Sequence, residues 1–271
     1  MRSIAVMNQK GGTGKTTTAV NVSAALAEAG SKVCLIDIDP QANASLHLGI
    51  EPRDELKSIY DVLVEHKELR DVRQQVADNL WIVPAHIDLS AAEMQLAGVF
   101  GREGILRNKL KSDDMKFDFV VIDCPPSIGI LTINAITAVD EVFIAIQPHF
   151  FPMYGLGRQV NTIDLIADRL NNRLKISGAI YCMYDGQAKL TSEVEQTVDE
   201  FFRQKQFNLP VCSHFREFQT KIRRNIRLAE APSFGMSIFQ YAPTSNGAED
   251  YRRLAAEIIA QGAVVDVKRA A

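Results

Sequence analysis

Short apolar runs alternate along almost the whole chain with longer stretches whose apolar positions recur every three to four residues. The runs Ile4–Asn8, Lys32–Asp37, Leu80–Pro84, Phe117–Asp123, Glu141–Gln147 and Ile176–Tyr181 predict strands. Two of them, within "KVCLIDID" and "FDFVVIDCPP", are nearly continuous apolar stretches ending in acids, as parallel strands covered on both faces require. Helical spacing predicts Thr16–Ala29, closed by Gly30, then Leu89–Ala97, Gly104–Leu110, Ile130–Ala138, Leu156–Leu170, Ser192–Phe202, Thr220–Ala229 and Ala248–Ala260. Such alternation gives an α/β fold: a doubly wound, mostly parallel sheet with right-handed crossovers and helices on both faces. No repeat, low-complexity tract or linker divides the chain, so residues 1–271 are expected to form one domain, with 262–271 a flexible tail.

In sheets of this kind, ligands bind beyond the carboxyl ends of the strands. Asn8, Asp37 with Asp39, Asp123 with the following "CPPS", Gln147 and Tyr181 should therefore meet on one edge.

The loop after the first strand reads "QKGGTGKTTTAV". It matches the end of the phosphate-loop pattern G-x-x-x-x-G-K-[ST] at Gly14, Lys15 and Thr16. Its first glycine position, however, is Gln9, and a second lysine, Lys10, precedes Gly11 and Gly12. Gly11, Gly12 and Gly14, with Thr13 between them, let the backbone turn its N–H groups toward phosphate oxygens, and the helix beginning near Thr16 and Thr17 adds its positive end. Lys15 would reach the β- and γ-phosphates, and the Thr16 hydroxyl would hold Mg²⁺. A glycine-rich turn could arise for other reasons, but this one follows a strand, opens a long helix and has acidic partners later in the chain.

Asp123 ends a buried-type strand, where a Walker-B carboxylate binds Mg²⁺, usually through a water. "DIDPQAN" supplies Asp37 and Asp39 at the end of the second strand. Near a triphosphate an acid needs a cation or a water to hold. Asp39 would position the attacking water and Asp37 would support Mg²⁺ or the loop, although spacing does not rank the two.

Composition narrows the class. With 46% apolar residues the chain can bury a large core, and a formal charge of −3, from 33 acids and 30 bases, excludes a uniformly basic nucleic-acid binder but not a local basic patch. Cys34, Cys124, Cys182 and Cys212 have neither C-x-x-C nor zinc-type spacing and read as reduced core thiols. There is no signal-peptide pattern and no uncharged stretch of the ~18 residues that a membrane span needs, so a cytoplasmic protein is expected.

Together "KGGTGKTT", "LIDIDPQAN", "VVIDCPPS", "IDLSAAEMQL" and "RNIRLAEAPSFG…APTSNGAEDYRRLAAE" resemble the ParA/Soj family of deviant-Walker-A partition ATPases, in family order from residue 2 to about 260. The loop is shared with MinD and the nitrogenase iron protein, while "RNIRLAEAPS" is more specific to ParA-like chains. The resemblance implies a P-loop ATPase that binds ATP and Mg²⁺ and forms a homodimer on ATP binding. It further implies slow hydrolysis stimulated by a ParB-like protein, and nucleoid association through non-specific DNA. It makes Lys10 the signature lysine that reaches the partner subunit's ATP, Lys15 and Thr16 ligands of phosphate and Mg²⁺, Asp39 the water-positioning acid and Asp123 the Walker-B acid. A lysine donated across a dimer would offset repulsion between two bound ATP molecules, as an arginine finger does.

Residues 214–228, "HFREFQTKIRRNIRL", hold Arg216, Lys221, Arg223, Arg224 and Arg227 against one acid, Glu217. On a helix, Arg223 and Arg227 would share a face with Lys221 and Arg224 alongside, a stripe suited to DNA phosphates. Alone, such a run is more often a solvated helical face. The resemblance turns Lys221, Arg223, Arg224 and Arg227 into DNA-contact candidates, Arg227 foremost, and makes Asn225 and Pro243 adenine-side candidates.

Departures from the family pattern fall at Arg223-Arg224-Asn225 for "PRN", "QAKL" for "RTNL", and "PHFFPMYGLGRQ" for a "YYALEGL"-like stretch. With the first strand expected at Ile4, no helix-turn-helix of the kind that precedes some plasmid members of the family is expected. Three rivals share the scaffold. A MinD-like membrane-positioning ATPase needs an amphipathic C-terminal helix, which "AEIIAQGAVVDVKRAA" resembles poorly, so no stable membrane association is expected. A nitrogenase-type reductase needs paired cysteines for a shared cluster. A metabolic amido-ligase of cobyrinate type would activate a carboxylate with ATP.

Overall fold

In the computed structural model, residues 1–53, 55–148 and 153–269 are described. Eight strands, β1 (Arg2–Met7), β2 (Val33–Asp37), β3 (Gln74–Ala77), β4 (Leu80–Val83), β5 (Phe119–Asp123), β6 (Glu141–Ile146), β7 (Lys175–Tyr181) and β8 (Arg216–Glu217), form one sheet in the order β3-β4-β2-β5-β1-β6-β7-β8. Every pairing is parallel except β3 with β4, whose tight turn passes through Asn79 at φ 57°.

Alternation along β1 shows why both faces carry helices. Ala5 and Met7 join a core with Ile36, Val120, Ile122 and Ile144, while Ile4 and Val6 join a second core with Leu35, Val121 and Phe143 on the other face. The first core lies under helices Ile59–Leu63, Ile105–Ser112, Ile130–Ala138 and Met153–Arg169. The second lies under Lys15–Glu28 and Asn246–Arg269. Helix Lys15–Glu28 is buried without interruption from Thr18 to Ala27, because it is wedged between the sheet and the last helix.

All six expected strands are present within two residues of their ends, and the doubly wound class holds. Two strands escaped the apolar pattern. β3 is half exposed and reads as polar, and β8 is too short to show a period. The expected helix Thr220–Ala229 is a correction. Residues 216–224 instead run extended beside the end of β7, with Ile222 N–H on the Tyr181 carbonyl (2.8 Å) and Tyr184 N–H on the Ile222 carbonyl (2.9 Å), and helix begins only at Ile226. Sheet pairing on the polar segment outweighs its helical spacing. The closing helix carries its backbone through the segment expected as a tail, to Arg269. The departure at 148–159 lies partly outside the described residues. No described helix is long and apolar enough to cross a membrane.

The chain moves from β1 out to β2 on one side and later returns to β6 on the other. The crevice beyond the carboxyl end of β1 is thus the switch point at which this fold class binds ligands.

Candidate functional site

Residues 8–14 turn from β1 into the helix Lys15–Glu28. Gly12 and Gly14 adopt φ 72° and 90°, and Thr18 N–H donates to the Gly14 carbonyl at 2.9 Å, so the first helical turn starts from the loop itself. Lys15 is buried and curls back, donating from Nζ to the Lys10 carbonyl at 3.1 Å, where the Thr13 hydroxyl also points at 3.5 Å. Burial lowers the Lys15 pKa from its ordinary value, while Asp123 and Asp39 pull it back up. Lys10 is exposed. Its backbone N–H is held by Asn8 Oδ1 at 3.0 Å, and its ammonium has no partner among the described residues. A cavity of about 230 Å³ opens beside it, lined by Asn8, Gln9, Lys10, Thr13, Gln147 and Leu156. Gly11 and Gly12 are exposed, and Thr16 and Thr17 stand half-buried in the first turn, whose N–H groups lack intrahelical acceptors.

Asp37 and Asp123 are paired across neighbouring strands β2 and β5, both fully buried. Their surroundings separate them. Asp37 Oδ2 accepts the Ser45 backbone N–H (2.9 Å) and hydroxyl (2.8 Å), and Oδ1 accepts Asp39 N–H (3.2 Å). Among the described residues neither oxygen of Asp123 has a hydrogen-bond donor in good geometry, although the Thr16 hydroxyl lies close enough to favour its charge. Burial pushes the Asp37 carboxyl up to about 6, with Asp39 adding to the rise. Burial, then the charge of Asp37, raises Asp123 well above the carboxylate range. Among the described residues Asp39, 7% exposed, accepts only Gln41 N–H at 2.9 Å on its carboxylate. Three carboxylates thus share one buried edge with the single ammonium of Lys15, a deficit of positive charge that a divalent cation fits, and Asp123 is the acid with uncommitted lone pairs. Spacing left Asp37 and Asp39 unranked. Hydrogen bonding makes Asp37 the inward anchor and leaves Asp39 the freer acid. Tyr181, also expected at this edge, turns its hydroxyl instead toward the Glu195 carbonyl and Asp199.

The basic residues do not form one stripe. Lys221 is enclosed, with Glu195 and Glu217 each at 2.7 Å and the Tyr181 ring 4.5 Å away. Arg223 is clamped by Asp250 (2.6 Å) and Glu249 (2.8 Å). Arg223 precedes the helix Ile226–Glu230 and Arg227 lies within it, so the two are not helical neighbours. Arg224 is exposed with no side-chain partner among the described residues, and Arg227 is exposed beside Glu230 at 2.9 Å. Asn225 caps this helix, its Oδ1 accepting Arg227 N–H at 2.8 Å. Pro243, exposed, accepts Arg252 at its carbonyl at 2.8 Å. The spacings Glu217–Lys221 and Arg227–Glu230 are local in sequence, whereas the acids holding Arg223 come from the closing helix. Ser45 and the buried Asn21 carried no recognisable signal.

A glycine-bent loop before a buried helix, a lysine folded onto it and a buried strand-end acid define a P-loop ATPase. The AAA domain family model matches residues 1–176. The chain is 43% identical to the sporulation initiation inhibitor protein Soj of Bacillus subtilis, covering 96% of this chain and 98% of that one, and 40% identical to the chromosome-partitioning ATPase Soj of Treponema pallidum, covering 96% and 98%. Among solved structures, cobyrinic acid a,c-diamide synthase from Mycobacterium smegmatis with bound ADP and magnesium superposes with a TM-score of 0.80 at 33% identity, over 96% of this chain and 94% of that one. The chain belongs to the Soj/ParA family of partition ATPases.

Proposed function

We propose that this chain is an ATP- and Mg²⁺-dependent switch that dimerises around nucleotide, holds non-specific DNA of the nucleoid and releases it when a ParB-like partner stimulates slow hydrolysis. The observation that carries this reading is a buried Asp123 without a well-placed hydrogen-bond donor among the described residues, beside a loop lysine already folded inward, with the Lys10 ammonium left exposed. Lys15 and the first-turn N–H groups, with Gly11, Gly12, Thr13, Gly14 and Thr17, bind the phosphates. Thr16 and Asp123 would hold Mg²⁺, which neutralises phosphate charge when bound, and Asp37 supports them from within. Asp39 orients the attacking water. Lys10 reaches the partner subunit's nucleotide, which makes closure depend on ATP. Asn225 and Pro243 flank the base. For DNA, the exposed pair Arg224 and Arg227 make the phosphate contacts in this state, and Lys221 and Arg223 serve mainly to fix the segment.

Binding to random-sequence duplex DNA with ATP, ADP and no nucleotide, in a salt series beside anionic vesicles, tests the reading. ATP-dependent, salt-sensitive binding lost in Arg227→Ala supports it, whereas vesicle binding alone moves the protein to a membrane-positioning role. Likeness to the diamide synthase favours a second reading, ATP-driven amidation of a small carboxylic acid. That reading gains only if neither surface is bound.

A further inference from the structure

Ser45 is fully buried in the short helix Asn43–His47, outside the phosphate loop. Its N–H and Oγ both donate to Asp37 Oδ2, at 2.9 and 2.8 Å, and Ala85 N–H, just beyond β4, donates to the same Oγ at 2.9 Å. The hydroxyl has one proton. With Ala85 N–H on its acceptor side, that proton is directed at Asp37. The other Asp37 oxygen takes the Asp39 N–H at 3.2 Å. One hydroxyl therefore ties the end of β2, the segment after β4 and, through Asp37, the turn that carries Asp39. That turn needs an external hold. Among the described residues the Asp39 carboxylate is fastened only to Gln41 N–H within the same turn, and Ala42 closes the turn in the left-handed region at φ 51°, an uncommon conformation for a residue with a Cβ.

We infer that Ser45 is a positioning residue for ATP hydrolysis: through Asp37 it sets the backbone that aims Asp39. It need touch neither nucleotide nor metal. The inference rests on the reading of Asp39 as the acid that orients the water. Removing the hydroxyl strands Ala85 N–H and takes one of three donors from Asp37, so the turn loses definition while the phosphate loop keeps all its own contacts.

The experiment compares wild type, Ser45→Ala, Ser45→Cys, Asp39→Ala and the Ser45→Ala/Asp39→Ala double variant. It measures single-turnover hydrolysis followed over hours, the KM for ATP, and binding of a fluorescent ATP analogue with Mg²⁺. Ser45→Ala should lower the hydrolysis rate about 10- to 100-fold with KM and analogue affinity within about twofold, and Ser45→Cys, nearly isosteric with a weaker donor, should fall between. The double variant should be no slower than Asp39→Ala alone, because Ser45 acts through Asp39. A wild-type rate in Ser45→Ala overturns the inference while a loss in Asp39→Ala still upholds the reading beneath it. A wild-type rate in Asp39→Ala removes both. Independent, multiplying losses in the double variant, or a parallel loss of analogue binding, would mark Ser45 as merely structural. Should Ser45→Ala fail to fold, Ser45→Cys is decisive: a wild-type rate there overturns the inference, and a rate loss at unchanged affinity upholds it.

Discussion

Asn21, fully buried in the helix that follows the phosphate loop, accepts the backbone N–H of Ile238 on Oδ1 at 2.8 Å and donates to the Thr17 carbonyl at 2.8 Å. One carboxamide thus fastens the first turn of the nucleotide helix to the segment that follows the exposed Arg224 and Arg227. Gly49 and Gly235 meet backbone to backbone nearby, so a Cβ built on Gly235 would lie 2.8 Å from the Gly49 Cα. Asn21→Ala leaves the Ile238 N–H buried without an acceptor. It should cost about 2 kcal/mol, read as a lower urea midpoint at unchanged slope.

The four basic residues divide into two pairs with opposite readouts. Arg223→Ala leaves Asp250, only 4% exposed, without its guanidinium and should lower stability by about 2 kcal/mol; Lys221→Ala does the same for Glu195 and Glu217. Arg224→Ala and Arg227→Ala remove exposed charges, so their melting should shift little. Each should instead weaken binding to random DNA and reduce the salt slope by about 1. Thermal melts and DNA salt series on the same preparations separate the pairs. An unchanged salt slope in both Arg224→Ala and Arg227→Ala would take DNA away from this segment.

Much of this was legible in sequence because buried parallel strands leave long apolar runs. β1, β2, β5 and β6 could be read to within two residues, and with them the edge that gathers Lys15, Asp37, Asp39 and Asp123. The loop was legible because its glycines answer a backbone demand. What stayed hidden depends on partners distant along the chain. Asp37 and Asp123 look alike in sequence, and only Ser45 and Ala85 reveal that one is satisfied and the other is not. The basic run looked helical because its spacing allowed it, and Asp250 and β7 decided otherwise.

His47 gives the fold an acid limit. It is 1% exposed, its Nε2 lacks a partner among the described residues, and burial drives its pKa from 6.5 to about 4 against the pull of a backbone hydrogen bond to Met236. The unfolded chain therefore takes up the proton first. The stability is fully present above pH 6.5 and is lost as pH falls toward 4, by up to about 3 kcal/mol. Asp37, raised from 3.8 to about 6, works in the other direction and destabilises the fold as pH rises through 6. Comparing wild type with His47→Gln isolates the histidine: stability should shift toward the variant by about 2–3 kcal/mol between pH 7 and pH 4.5 in urea titrations. A constant difference across that range would show that His47 does not titrate with folding.

Asp123 should be a residue whose loss stabilises the resting protein. Its raised pKa is a penalty on the charged form that is complete above the folded pKa and vanishes at low pH, and the Thr16 hydroxyl and the Lys15 ammonium offset it only in part. Asp123→Asn removes the carboxyl whose ionisation burial penalises and should raise the melting stability of the nucleotide-free protein, by an amount that grows as pH rises above the ordinary carboxylate range. The same variant should lose the extra stabilisation that Mg²⁺ adds to ATP. Removing Mg²⁺ with a chelator should then shift the melting of wild type with ATP and leave that of the variant unmoved. If wild type with ATP also fails to respond, Asp123 is not a metal-linked acid.

Two glycines of the loop, three residues apart, should respond oppositely to a single methyl group. Gly14 sits at φ 90°, and a Cβ there would lie 3.1 Å from Cys182 Cβ and 3.2 Å from its sulfur, while Gly11 is outside the left-handed region with nothing within 4 Å of the same atom. Gly14→Ala therefore strains the backbone and also pushes on the end of β7 just where Thr18, Cys182 and Tyr251 join in a buried hydrogen-bonded group, with Thr18 Oγ1 at 3.3 Å from the sulfur and 3.2 Å from the Tyr251 hydroxyl. It should cost roughly 1–3 kcal/mol and abolish ATP binding, since the loop N–H groups move with it. Gly11→Ala should fold as wild type, within about 0.5 kcal/mol, and any loss of ATP affinity it shows reports a nucleotide or partner subunit approaching that exposed position. Cys182→Ala supplies the control. By clearing the sulfur opposite Gly14 it should restore part of the stability lost in Gly14→Ala, and failure to do so would place the cost in the backbone angle and in the Cβ contact at 3.1 Å that alanine keeps.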